Sequence, residues 1–422
     1  MTATNTNKNY LSSIIIIGAL FFVFGFITWT NASLIAYLKI ACELKTDFES
    51  YLVISAFFIA YTVMAIPSSI VLKKVGYKRG MSLGLFIMAI GAVLFIPAAQ
   101  SRNYNMFLFG LFVIGTGLAL LQTASNPYAS IIGPIESAAS RISMMGICNK
   151  VAGIIAGLVF ANIALKDADV LTEKLKLMTA SEKAVSLNEL ASRVIMPYAI
   201  TAGVLVLLSI AILFSSLPDI KDDAEVTEKA GVQQKASIFN YPHLLLGVLA
   251  LFLYVGVEVM AGDTILTYGK SLGISMATAS HFPQATLSCM LLGYIIGIVS
   301  IPKYLSQEKA LKICAWIGVL FTILAVVTTG FVSVLFIALL GLANSLMWPA
   351  IFPLAINGLG KHTKMGSALL IMAIAGGAIL PLLYGKLSEV LGSTQHAYAI
   401  MVPCYLYILY FAVKGHKVGW AK

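Results

Sequence analysis

Twelve apolar stretches, each about as long as a bilayer's hydrocarbon core is thick, leave this chain few ways to fold. Crossing ~30 Å of hydrocarbon at about 1.5 Å per helical residue takes about 20 residues. Runs of that kind occupy roughly residues 11–38, 49–72, 80–99, 105–132, 142–163, 194–217, 242–269, 280–301, 309–329, 331–357, 365–388 and 395–414. In lipid every backbone N–H and C=O needs an internal partner, which a helix supplies. The expected fold is therefore all-α, a membrane protein of twelve transmembrane helices. Composition agrees, because 59% hydrophobic and 11% charged residues over 422 positions leave too few charges to cover a soluble globule of that size. No small-residue cleavage site follows the first run, which reads as an uncleaved first helix.

Two polar segments interrupt the rhythm. Residues 166–193 (KDADVLTEKLKLMTASEKAVSLNELASR) space their apolar positions as a helix does and predict a short amphipathic surface helix. Residues 218–241 (PDIKDDAEVTEKAGVQQKASIFNY) form a charged linker. That linker divides the chain into 1–217 and 242–422, two pseudo-symmetric six-helix bundles. Faint self-similarity supports a duplication: GLALLQTASNPY in span four against GLANSLMWPAIFP in span ten, and VAGIIAGL in span five against IAGGAILPLL in span eleven. Lysines and arginines collect in one set of loops (Lys73, Lys74, Lys78, Arg79, Arg141, Lys221, Lys229, Lys235, Lys303, Lys309, Lys312, Lys361, Lys364), while the opposite short loops hold Lys39, Lys45, Arg102 and Lys270. Positive charge stays on the cytoplasmic side, so both termini and the linker are expected there, with 166–193 outside.

The net charge of +10 follows from this topology rather than from a nucleic-acid surface, for the four arginines (Arg79, Arg102, Arg141, Arg193) form no basic, aromatic-laced patch. Five scattered cysteines lack any metal-like spacing and read as small buried hydrophobes.

Polar groups inside the spans carry the functional information, since at depth they must face protein or a wet cavity. In LLQTASNPY, Gln122 and Asn126 lie at i and i+4 on one helix face. Pro127 has no N–H and displaces the carbonyl of Thr123, so this stripe suits a polar, uncharged ligand. The competing reading is interhelical glue. Span ten repeats the pattern with Asn344, Trp348 and Phe352, interrupted by Pro349. An amide beside aromatic rings fits a pyranose, although Phe352 alone reads as core. In ITWTNAS of span one, Thr28 and Asn31 share a face and Trp29 lies beside them, where it reads equally as an interfacial aromatic. Lys150, next to Asn149, sits mid-span in span five, and Glu258 mid-span in span seven, one turn from Tyr254. Intramembrane charges of this kind mark ion or substrate paths. Asp263 and His281 read as solvated groups near the outer surface. No arginine lies within a span, which argues against phosphate or carboxylate cargo and favours a neutral solute.

The strings LLQTASNPY, FLYVGVEVMAGD, NSLMWPAIFPLAI and GGAILPLLYGKLSEVLG resemble the fucose/glucose/galactose permease family of the major facilitator superfamily, with likeness from about Phe21 to the last span. VGYKRG, Val75 to Gly80, resembles a degenerate form of that superfamily's loop between spans two and three. The resemblance implies alternating access and cation-coupled import of a neutral hexose across a bacterial cytoplasmic membrane. Departures refine it. The acidic residue of proton-coupled fucose permeases in span one is replaced by Ala32, and their span-four glutamate by Gln122. Asn149 is kept, but Lys150 beside it is not of the fucose type. The glucose/galactose branch is the better match.

The expected substrate contacts are Asn31, Gln122, Asn126, Asn149, Asn344 and Trp348, with Trp29, Thr28, Tyr254 and Phe352 as further candidates. Glu258 and Lys150 would handle the coupling ion, either H+ or Na+ (the latter held by Glu258, an amide and freed carbonyls). Uniport is the alternative in which Lys150 stands in for a mobile ion. Fucose, mannose or N-acetylglucosamine are alternative cargoes, and a proton-coupled drug exporter is the alternative class. No cofactor, no enzymatic activity and no nucleic-acid partner is expected of what reads as a monomer in the bilayer.

Overall fold

The computed structural model describes residues 3–131, 138–215, 217, 237–301, 303–359 and 362–419. Among the described residues every regular element is helical. Twelve segments are long and apolar enough to cross a bilayer, from Ser12–Ala41 through Thr394–Lys417. Large apolar side chains such as Ile200, Leu207, Ile296 and Val327 stand exposed on the outer surface. Water would not tolerate so extensive an apolar face, and lipid requires it.

The first half holds α1 (Ala3–Thr28) and α2 (Asn31–Ala41), which together make span one, and α3 (Asp47–Ser101), which contains spans two and three. It continues with α4 (Tyr104–Ile131), α5 (Ala138–Ala164), the short α6 (Ala168–Leu175) and α7 (Ala180–Ser192), and α8 (Ile195–Phe214). In the second half α9 (Pro242–Asp263) and α10 (Ile265–Ser271) form span seven, and α11 (Met276–Ala279) and α12 (Phe282–Ser300) span eight. There follow α13 (Gln307–Val327), α14 (Gly330–Asn344) with α15 (Met347–Ile356) as span ten, and α16 (Thr363–Met372) with α17 (Gly376–Leu391) as span eleven. Span twelve consists of α18 (Thr394–Ala397) and α19 (Met401–Val413). The expected linker lies outside the described residues as far as 236. From Ser237 a 3-10 turn, Ile238–Asn240, leads into α9, whose first position is Pro242.

Several spans expected as single helices are broken, and the causes are local. In span ten Pro349 cannot donate to the carbonyl of Ser345 and its ring displaces that group, so α14 ends and α15 begins across Ser345–Leu346. In spans one and seven a threonine at the joint turns its hydroxyl back onto the preceding turn. Thr30 Oγ1 donates to the Ile27 carbonyl (2.7 Å) and Thr264 Oγ1 to that of Met260 (2.7 Å), the latter in addition to the Thr264 N–H at 3.2 Å, back-bonding of a kind that bends helix axes. In contrast α4 runs through Pro127 to Ile131 without a break. Spans two and three reverse at Gly76, whose φ of 80° is open only to a residue without a Cβ.

The polar 166–193 segment forms two helices rather than the one expected. A Thr179–Glu182 capping box starts α7, which buries Leu187, Leu190 and Ala191. Tyr37 OH donates to the carbonyls of Leu190 (3.1 Å) and Ala191 (3.0 Å) and ties the segment to α2.

Between the halves α5 lies along α12 and α3 along α17. At the end remote from Ile238–Asn240 the halves are pinned together. Tyr51 OH bonds Thr267 Oγ1 (2.8 Å), Ser55 Oγ donates to the Ala378 carbonyl (2.6 Å), and Lys270 pairs with Asp169 (2.7 Å).

Candidate functional site

A cavity opens between the halves, built by α1, α3, α4 and α5 on one side and α9, α12 and α15 on the other. Its volume is about 120 Å³ at the centres of a water-sized sphere, several times the roughly 10–15 Å³ that one water needs. Gln122 and Asn126 of α4 both line it, as their i, i+4 spacing requires, and so do Thr28, Trp29, Asn149, Lys150, Tyr254, Glu258 and Trp348. Sequence reasoning had therefore named most of the polar wall. It missed the aromatic remainder, which includes Phe58, Tyr61 and Tyr294. Tyr61 and Tyr294 carry no serine, threonine or amide three or four residues away that would have marked them, and Phe58, though flanked at that spacing by Ser55 and Thr62, reads as one more apolar residue of its span.

The charged centre is an ion pair across the two halves. Lys150 Nζ lies 2.9 Å from Glu258 Oε1, with side chains only 5% and 11% exposed. The same ammonium sits 3.8 Å from the centre of the Trp29 ring, a cation–π contact worth ~2 kcal/mol when desolvated. Trp29 in turn donates its Nε1–H to Asn149 Oδ1 at 2.9 Å. Trp29 is thus no interfacial aromatic. It is buried and fixes the residue pair Asn149–Lys150 from the broken end of α1.

The approach of α1 to α5 that makes this contact rests on Gly25. A Cβ at that position would stand 1.8 Å from the Asn149 carbonyl oxygen. Elsewhere on the wall, Gln122 Nε2–H donates to Tyr61 OH (3.0 Å). Trp348 stacks on Phe352 (5.9 Å between centroids, 21°) and tilts against Tyr254 (6.4 Å).

Two expected substrate contacts, Asn344 and Asn31, and one further candidate, Phe352, are not on this wall. Asn344 is fully buried, and its Oδ1 accepts from Tyr405 OH at 2.8 Å. The break in span ten lies between them, for α14 ends at Asn344 and Trp348 belongs to α15, so the i, i+4 spacing no longer sets the two on one helix stripe. Phe352 lies behind Trp348 as its stacking partner rather than on the cavity. Asn31 begins α2 beyond the break in span one, and it is buried away from the cavity.

Asp263 differs most from expectation. It is 1% exposed, not solvated, and neither carboxylate oxygen has a hydrogen-bond partner. It is within electrostatic reach of both Lys150 and Glu258. The signal was available, for the apolar run continues through ILTYG beyond it. Among the described residues no group of His, Cys, Asp and Glu is placed to hold a metal in the manner of a cluster.

The family model described as Major Facilitator Superfamily matches residues 17–381. The chain is 34% identical to a glucose/galactose transporter of Brucella abortus, over 99% of this chain and 97% of that protein. It is 30% identical to the L-fucose-proton symporter of Escherichia coli, over 96% and 93%. Its fold superposes on the solved structure of the transporter FucP in the outward conformation with a TM-score of 0.75, at 29% identity, covering 96% of this chain and 98% of that one. The twelve-helix architecture and these matches agree: the chain is a multi-pass membrane transporter and belongs to the Major Facilitator Superfamily.

Proposed function

We propose that this protein imports a neutral hexose of the glucose/galactose type by cation-coupled symport with alternating access. The observation that carries this reading is the cavity between the halves, walled by side-chain amides and aromatic rings and holding the Lys150–Glu258 pair in its lining. Amides of Gln122, Asn126 and Asn149 offer both donors and acceptors to hydroxyls. The Trp348 ring offers an apolar face to the C–H side of a pyranose. Drug-exporter cavities tend to be lined by Met and Phe; among the described lining residues there are Phe21, Phe24 and Phe58 but no methionine, and the amides and the buried ion pair favour a polar solute.

Coupling is assigned to the Lys150–Glu258 pair because it joins the two halves, so any rocking of one half against the other must stretch or break it. Lysine and arginine in the loops set the orientation, with both termini on the cytoplasmic side of a bacterial inner membrane. The test is exchange of labelled for unlabelled sugar in proteoliposomes, with glucose, galactose, mannose and fucose as competitors. The expected result is saturable exchange with glucose and galactose as the strongest competitors. Absence of exchange for every hexose, together with saturable binding of a lipophilic cation, would overturn the assignment.

A further inference from the structure

The pair described above uses one of two buried carboxylates on span seven, and the other is Asp263. A carboxylate shielded from water and lacking any donor is among the costliest groups a protein can bury. In a transmembrane segment it is retained for function by default. Asp263 closes α9 immediately before the joint at Thr264, whose hydroxyl is engaged by Met260 and by Tyr398 OH (2.6 Å) and so gives the carboxylate nothing. Its neighbour Gly262 packs so closely on the Trp29 ring that a Cβ there would lie 2.6 Å from it. This last turn of α9 is thus packed against the aromatic plate over which the Lys150 ammonium rests. The charged groups that act on it are Lys150 from α5 and Glu258 from its own helix.

We propose that Asp263 is the group that binds and releases the coupling proton. The proposal rests on the symport reading above and deepens it. The charge balance of the cluster supports it. One ammonium and two ionised carboxylates sum to −1, whereas one ammonium, one carboxylate and one neutral acid sum to zero. In the closed arrangement described here Lys150 is committed to Glu258, and a proton on Asp263 makes the cluster neutral. When the halves separate and the Lys150–Glu258 contact opens, the ammonium is freed and water reaches the cavity. Asp263 can then give its proton to that water, leaving one ammonium beside two carboxylates, a cluster of charge −1 that the water now hydrates. A single proton per cycle of alternation follows from this balance.

The experiment uses the full chain in proteoliposomes and separates two processes. Sugar exchange without net flux needs binding and alternation only. Accumulation of glucose on an inward proton gradient, with sugar-induced acidification of the lumen, needs the proton site. The wild type is expected to show both, with one proton per glucose, and with no requirement for sodium. Asp263→Asn is expected to keep measurable exchange and to lose accumulation and acidification, while Asp263→Glu restores both. Persistence of gradient-driven accumulation in Asp263→Asn would overturn the proposal, as would accumulation by the wild type on a sodium gradient alone. Should Asp263→Asn fail to fold, infrared difference spectra of the wild type and Asp263→Glu decide. A neutral-acid carbonyl band that rises and falls with pH and shifts in Asp263→Glu supports the assignment, and a band the same in both proteins refutes it. A wild type without exchange of any hexose would refute the transport reading instead.

Discussion

Removing one partner of the Lys150–Glu258 pair should cost far more than removing both. The ions are 2.9 Å apart and almost fully enclosed, so each was taken out of water at a cost that the other offsets. Breaking such a pair from one side typically costs roughly 3–5 kcal/mol, whereas replacing both partners by neutral groups of similar volume is near neutral. In Lys150→Met the apolar stem is conserved, but the Glu258 carboxylate loses the cation beside it, and the full range of roughly 3–5 kcal/mol applies. In Glu258→Gln the amide oxygen still accepts from Nζ, and the Trp29 ring still lies 3.8 Å beneath the ammonium. That contact, worth ~2 kcal/mol, should bring the loss below that of Lys150→Met. The double variant should recover to within about 1–2 kcal/mol of the wild type. Thermal unfolding of the detergent-solubilised protein, read as Tm, ranks the four proteins: wild type, then the double variant, then Glu258→Gln, then Lys150→Met. Additive losses, with the double variant least stable of all, would show that the two charges do not compensate one another and would refute the reasoning. Transport is a separate readout, since accumulation should fail in all three variants even where stability returns.

Two further outcomes follow from the contacts between halves. Asp169 pairs with Lys270 and also accepts the Met276 N–H at 2.6 Å, so Asp169→Asn should loosen the pinned end. An exposed pair contributes up to ~1 kcal/mol, so the reactivity of a cysteine placed at Thr267 toward an impermeant thiol reagent should rise up to about fivefold; unchanged reactivity would show that the contact is no latch. Gly25→Ala should lower Tm and sugar affinity together, because its Cβ would meet backbone of α5 rather than a yielding side chain, a conflict costing roughly 1–3 kcal/mol. Gly18→Ala is the control, since its Cβ would meet Cys148 Sγ at an ordinary 3.5 Å; equal stability of the two variants would contradict the close approach of α1 to α5.

The sequence by itself determined the twelve spans, for their length and apolarity are dictated by the thickness of hydrocarbon and need no tertiary information. It also identified Gln122, Asn126, Asn149, Lys150 and Glu258, because a polar group at mid-span stands out against an apolar background wherever the helices later pack. Pro349 marked one break in the sequence, but only the tertiary structure decided what each break does to the stripes on either side of it. A stripe at i, i+4 holds while the helix is continuous, as for Gln122 and Asn126 on α4, and fails across a joint, as for Asn344 and Trp348. Asp263 shows the same dependence from the other side. Its place toward the outer end of span seven suggested water, although the apolar run continues beyond it, and the structure carries the carboxylate inside the packed halves. Pairing across the bundles, such as Lys150 with Glu258, is likewise set by contact between helices distant in sequence, and no periodicity within either helix encodes its partner.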